Sequence, residues 1–383
     1  MNRFNPLGLL LLVAFLSGCG LWSSEEEIEP AELESIVSEY QFKKLWSTQV
    51  GSGLGEKYHQ LQPALLSSRI FAVDHEGTVV AVERDSGKLV WKQELELPIS
   101  GGVGIGNGRV LVSAYDGQLV ALSALDGSEA WRAQLNSEAT APVQVSAGLA
   151  LVQTIDGQVT AFDSQSGALR WSYSAQEPLL TLRGDSAPLL TANRAYVGFS
   201  SGKLAALDLA TGELVWESLV TLPEGRTELE RIVDIDGSLL RDQGLIFAGS
   251  YQGRISAISE SEGRRLWSSP LSTFRSLAQN GLNLFAVDAE GTVVAFSKRN
   301  GDELWKQEAL YFRQVSSPTI LDGLVAVGDY EGYIHLLDPI DGRFVGRHRA
   351  DSSALLSPPL GVEGVLYTLS DDGTLSALQL QKN

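Results

Sequence analysis

The stretch DGQVTAFDSQSGALRW, residues 156–171, recurs in close variants along almost the whole chain, and this repetition limits the fold more than any other feature. Aligned on a tight-turn glycine, the copies start at Gly77, Gly117, Gly157, Gly202, Gly253, Gly291, Gly332 and Gly373. In the first seven, a second glycine follows ten residues later, from Gly87 to Gly342. In six, a tryptophan follows fourteen residues after the first glycine: Trp91, Trp131, Trp171, Trp216, Trp267 and Trp305. The seventh copy has Gly346 at that place. A small residue stands four after the turn glycine (Ala81, Ala121, Ala161, Ala206, Ala257, Ala295 and Ala377), with Leu336 the exception. Three spacings held through seven copies identify a repeat architecture, and a period near forty residues is that of a four-stranded propeller blade.

Each unit decodes into four short strands. In the third these are PVQVSA, LALVQTI, QVTAFD and ALRWSY, rich in Val, Leu and aromatics with imperfect alternation, as half-buried or buried strands are. The Asp-Gly pair between the second and third strands predicts a two-residue type I′ hairpin, and SQSG predicts a longer hairpin with a left-handed glycine. The last unit ends after its third strand, in TLSALQLQKN, while FKKLWSTQV with Trp46 lies unclaimed near the start. The expectation is therefore an all-β fold: an eight-bladed β-propeller of four-stranded antiparallel blades, closed when an N-terminal strand joins the last blade. Closure removes free sheet edges. At fixed repeat positions, Trp46 and the six repeat tryptophans are assigned to packing between blades rather than to ligand stacking. Function is then to be sought in what does not repeat.

The N-terminus carries an address. Arg3, an apolar run from Leu7 to Leu16 and a Ser17-Gly18-Cys19 ending read as an export signal, too short to span a bilayer. Leu16-Ser17-Gly18-Cys19 resembles the lipobox of bacterial lipoproteins, which implies cleavage after residue 18 and acylation of Cys19; an ordinary signal with an incidental cysteine is the alternative. Several acyl chains make a stable anchor where one does not. Gly20 follows in place of Asp, and in the sorting pattern of such lipoproteins this implies the periplasmic face of the outer membrane. Cys19 is the only cysteine, so no intramolecular disulfide forms. The expected organisation is a signal at 1–18, an acidic tether at 19–40 and a propeller at 41–383. Within the tether Leu33, Ile36, Val37 and Tyr40 follow Pro30 at helical spacing, compatible with a short amphipathic helix.

Composition excludes more than it selects. The formal net charge of −18 opposes nucleic acid, which needs clustered Lys and Arg. The repeat A-x-D-x-x-x-G-x-x-x-W resembles the tryptophan-docking motif of pyrroloquinoline-quinone dehydrogenases, themselves eight-bladed propellers. Those enzymes usually have an adjacent-cysteine disulfide that a single cysteine cannot form. Neither His59, His75, His335 and His348 nor the DIDG at 234–237 has the spacing of a metal site. No cofactor and no metal are expected. A quinone-dependent or ligand-binding periplasmic propeller remains the rival class.

Two glycine-to-glycine steps, of 45 and 51 residues against 38 to 41 elsewhere, place extra chain at 175–190 and 222–240. Insertions in a repeat array map to loops on one face, often the binding face. The first mixes Leu179, Leu180 and Leu182 with Arg183, and the second holds Asp234 and Asp236. The leucines could equally begin the inner strand and the charges be solvated. Signal, lipobox, acidic tether, LWSTQVGSGLG at 45–55 and eight blades with these insertions closely resemble the BamB family, the propeller lipoproteins of the outer-membrane β-barrel assembly machine. The resemblance implies a non-catalytic scaffold that binds the periplasmic POTRA domains of the central barrel subunit. It implicates Leu180, Leu182, Arg183, Asp234 and Asp236, within LTLRG and DID, as partner-binding residues. A second expectation is that exposed blade edges take up strands of unfolded outer-membrane protein substrates.

Overall fold

The computed structural model describes residues 28–55, 61–182, 184 and 186–383. The signal, Cys19, His59 and Arg183 lie outside the described residues. Eight four-stranded antiparallel sheets form the blades of a propeller. Blade 1 comprises Ala64–Leu66, Arg69–Val73, Thr78–Glu83 and Leu89–Glu94, from inner to outer strand, and blades 2 to 7 repeat that order. Blade 8 takes its three inner strands from Leu360–Val362, Val365–Leu369 and Thr374–Lys382, and its outer strand from Tyr40–Gln49 at the other end of the chain. Tyr40 stands opposite Lys382, and Gln49 opposite Thr374.

The imperfect alternation now has a cause. Each blade is covered on both faces by its neighbours, so the second and third strands are buried in runs, four consecutive residues in both Arg69–Val73 and Thr78–Glu83. The outer strand Leu89–Glu94 has a single buried residue, Trp91, among exposed and half-buried ones. Trp91 sits opposite Ala81, and the same small–large pair recurs in every blade but the seventh. There Leu336 faces Gly346, so the bulk has changed sides of the pair.

Each indole reaches into the next blade. Its N–H donates to a carbonyl in the neighbour's turn at 2.9–3.2 Å, from Trp46 on Arg84 round to Trp305 on Pro339. The second repeat glycine lies beneath that indole: a Cβ at Gly87, Gly127, Gly167, Gly212, Gly263, Gly301 or Gly342 would come within 2.4–2.7 Å of it. Seven of the eight blade junctions are made this way. At the eighth, from blade 7 to blade 8, Gly346 replaces tryptophan, and the carbonyl of Tyr40 lies where its side chain would begin.

Two local expectations change. The turn between the second and third strands is not type I′, because in blades 1 to 3 only its glycine (Gly77, Gly117, Gly157) has positive φ. Asp74 shows why: its carboxylate accepts from the backbone N–H of Glu76 and Thr78, bracing a longer turn that ends on Gly77. Paired positive φ occurs instead between the first and second strands, at Asn107-Gly108, Ala147-Gly148, Gln243-Gly244, Asp322-Gly323 and Glu363-Gly364. The segment after Pro30 is extended rather than helical, and the one helical turn among the described residues is a 3-10 turn at Leu229–Arg231.

Candidate partner-binding face

Strand direction alternates within a blade, so every outer-to-inner connection emerges on the same face as the glycine turns. Both insertions are such connections: the first follows Leu169–Ser174 and the second follows Leu214–Leu219. They are neighbours around the ring, and they touch. The backbone N–H of Leu182 donates to the Asp234 carboxylate at 2.5 Å, the Ser186 hydroxyl donates to the Gly237 carbonyl at 2.9 Å, and a Cβ on Gly184 would lie 2.6 Å from the Asp236 carboxyl carbon.

Asp234 and Asp236 are therefore buried, at 0% and 5% exposure, inside the junction of the two loops rather than on its surface. Ile232, Val233 and Ile235 are buried beside them. Burial lifts the Asp234 carboxyl to about 6, against the pull of the Leu182 N–H. Glu177, half-buried at the base of the first loop, is lifted to about 7, first by desolvation and further by the charge of Asp234.

What the loops present outward is apolar. Leu179, Leu180 and Leu182 are 95%, 44% and 40% exposed, and the second loop adds Leu222 and Leu229 at 63% and 66%. Between the loops opens a cavity of about 310 Å³ lined in part by Glu177, Leu180, Pro223, Arg231 and Val233. The second loop is itself braced: the Glu230 carboxylate accepts from the N–H groups of Arg226 and Thr227, and the Thr227 hydroxyl accepts from Glu230 N–H. This holds Leu229 on a short rigid turn. Sequence reading missed Leu222, Leu229, Glu177 and Arg231; the available signal was two leucines seven residues apart inside an otherwise charged insertion.

Elsewhere the described residues offer a scaffold. The repeat indoles are spent on blade junctions, and His335 is buried with Nε2 3.0 Å from Asp329 and Nδ1 accepting from Arg347. Among the described residues no group of three His, Cys, Asp or Glu converges as a metal set. None of the described helices is long and apolar enough to cross a membrane.

Comparison with known proteins agrees with the propeller fold. The quinohemoprotein alcohol dehydrogenase of Comamonas testosteroni shares the fold at TM-score 0.72 and 13% identity, over 88% of this chain and 76% of that one. At that identity the likeness is one of fold alone. The crystal structure of BamB from Moraxella catarrhalis superposes with TM-score 0.82 at 29% identity, covering 88% of this chain and all of that one. In sequence, outer membrane protein assembly factor BamB of Pseudomonas aeruginosa is 48% identical over 381 residues, spanning both chains in full. The family model described as outer membrane protein assembly factor BamB matches residues 75–307, from the first glycine turn to the end of blade 6. A ring of eight blades, seven of its junctions docked by tryptophan, with full-length identity of this order, places the chain in the BamB family of outer membrane protein assembly factors.

Proposed function

We propose that this protein is a non-catalytic scaffold in outer-membrane protein assembly, held at the periplasmic face of the outer membrane by an acylated Cys19, and that it binds the POTRA domains of the central barrel subunit. The observation that carries the reading is the pair of insertions: five leucines exposed on two adjacent loops that Asp234 ties together from within. Monomeric surfaces seldom leave apolar side chains in such a group unless a partner covers them. Leu180 and Leu182, with Leu222 and Leu229, are the apolar anchors. Arg183, next to Leu182 in sequence, supplies the charge that pairs with a partner carboxylate or carbonyls. Asp234 and Asp236 act through the loops: they set loop position and do not touch the partner.

Truncating an anchor buried at the centre of such an interface costs about 2 kcal/mol or more of binding. The test is a titration of residues 20–383 with the POTRA domains from the same species, beside Leu222→Asp and Arg183→Glu variants. Parent binding with loss of tenfold or more in either variant, at unchanged melting temperature, supports the reading. Equal binding by all three moves the interface off these loops. No binding by the parent removes the POTRA assignment.

A further inference from the structure

The junction between blades 7 and 8 lacks the tryptophan clasp of the other seven, because Gly346 stands at the tryptophan position of blade 7. The segment Ile28 to Glu39 lies along the rim of blade 7 beside it and meets the end of blade 8 at Ser38 and Glu39. It runs extended along blade 7, from the loop-bearing face, where Ala31 N–H donates to the Tyr311 carbonyl, to the opposite face, where Glu39 N–H donates to Val345. Leu33 packs into the apolar cluster that holds Trp305 and Phe344. At the far end the C-terminal residue is tied in as well: Asn383 donates its backbone N–H to Glu39 and its side-chain amide to the Ser38 carbonyl, at 2.8 and 2.7 Å.

Two arginines hold this segment by its backbone. Arg313 donates to the Ala31 carbonyl at 2.9 Å, and Arg347 donates to the Glu34 carbonyl. Neither arginine is a mobile surface group. Arg313 is buried on Asp329, 2.9 Å from Nε, and on Glu331, while Arg347 donates Nε–H to His335 Nδ1, whose other nitrogen meets the same Asp329. One buried carboxylate thus orients both clamps. A carbonyl of a flexible tether would not recruit such a network, since ordering a segment costs roughly 1–2 kcal/mol per residue that its contacts must offset.

We infer that residues 28–39 are a latch: they strap the rim of blade 7 from the connection after blade 6 to the end of blade 8, across the one junction that has no tryptophan, and they make the N-terminal leash leave the propeller on the face that carries the two leucine loops. Resting on the lipoprotein reading, this has a consequence for orientation. Between Cys19 and Ile28 the chain reaches at most about 30 Å even when fully extended. An anchor on that leash keeps the loop face, and not the opposite face, towards the bilayer.

The experiment is amide hydrogen exchange on the full acylated chain in vesicles of phosphatidylethanolamine and phosphatidylglycerol, for the parent and for Leu33→Asp. That substitution lies on the latch, outside the blades. Expected in the parent is exchange of Ala31 and Glu39 amides at least tenfold slower than in an unstructured peptide. In Leu33→Asp both should lose protection, together with amides of Tyr40–Gln49 and Phe344–Arg349, while blades 2 to 5 stay protected. Parent amides that exchange at the unstructured rate, or a variant indistinguishable from the parent, overturn the latch. Orientation is read by energy transfer from a dye at Leu179→Cys or Ile340→Cys to a headgroup acceptor. The loop-face site should be nearer by about 20 Å, the length of a blade strand; equal or reversed distances overturn the orientation. Failure of the chain to float with vesicles would sink the anchor reading alone, and exchange would still decide the latch.

Discussion

The pairing of tryptophan with alanine across the two outer strands of a blade is a volume rule, and blade 7 shows that the rule concerns the sum. Leu336 is allowed because Gly346 faces it, and Gly346 is required because the Tyr40 carbonyl crosses there. Transplanting one half of the exchange should therefore fail where the whole succeeds less badly. In blade 2, Ala121→Leu would press on Trp131, and overpacking of this kind costs about 1–3 kcal/mol; Trp131→Ala would cost about 3–5 kcal/mol by emptying the site. Urea denaturation of the two variants and of the double variant Ala121→Leu with Trp131→Gly measures the coupling. The double should be less damaged than the sum of its parts. A second expectation concerns Ala147, which holds φ of +50° in a two-residue hairpin. Asn or Gly adopts that region with less strain, so Ala147→Gly should raise stability by about 0.5–1 kcal/mol, read as a rise in melting temperature.

At the scale of elements, the two insertions are positioned by carboxylates that would rather be neutral. Glu177 and Asp234 are held at about 7 and about 6, above the values of about 4.3 and 3.9 that they have in an unfolded chain. A carboxyl whose folded value is raised binds more protons folded than unfolded, so its contribution is complete below about pH 4 and is lost as pH rises through 7. The closed loop pair should thus be more firmly shut at pH 5.5 than at pH 8. Glu177→Gln should remove most of that dependence, as seen in intrinsic-rate-corrected exchange of the Leu182 amide. An undiminished slope in the variant would assign it to other groups. The blades were legible in the sequence because spacing recurs: a glycine that must be left-handed and an indole that must reach the next blade leave the same mark six times. The insertions were visible as broken period, but their interior was not. Nothing in DID says that Asp234 faces inward, since closure of one loop on another is a tertiary event. The latch misled for a related reason. Leu33, Ile36 and Tyr40 fit a helical stripe, yet the arginines of blade 7 bind carbonyls that a helix would have used itself.

For the whole molecule, the seam decides what the ring tolerates. The terminal strands lie antiparallel, with Tyr40 opposite Lys382, so the two ends of the propeller meet on the face away from the leucine loops. A ring closed by pairing rather than by a covalent bond incurs its loop-closure entropy on folding, and that cost grows slowly with the sequence separation of the two strands. Joining Lys382 to Tyr40 through Asn-Gly would turn the seam into a two-residue hairpin like that at Asn107-Gly108, whose twist suits antiparallel strands. Opening the chain between Asn107 and Gly108 then gives a permuted propeller with new termini on that same opposite face. This permutant lacks the latch but has the two terminal strands of blade 8 joined covalently. It should remain monomeric, keep the strand content of the parent and retain POTRA binding, because the loops at 175–190 and 222–240 are untouched. The linear chain from residue 50 to residue 383, with no closing strand at all, leaves the edge of Thr374–Lys382 unpaired and should aggregate. Size-exclusion chromatography and circular dichroism of the two constructions compare closure by bond with absence of closure. A monomeric, fully folded 50–383 chain would show that the outer strand of blade 8 is dispensable, and that the ring stands on its six remaining tryptophan clasps alone.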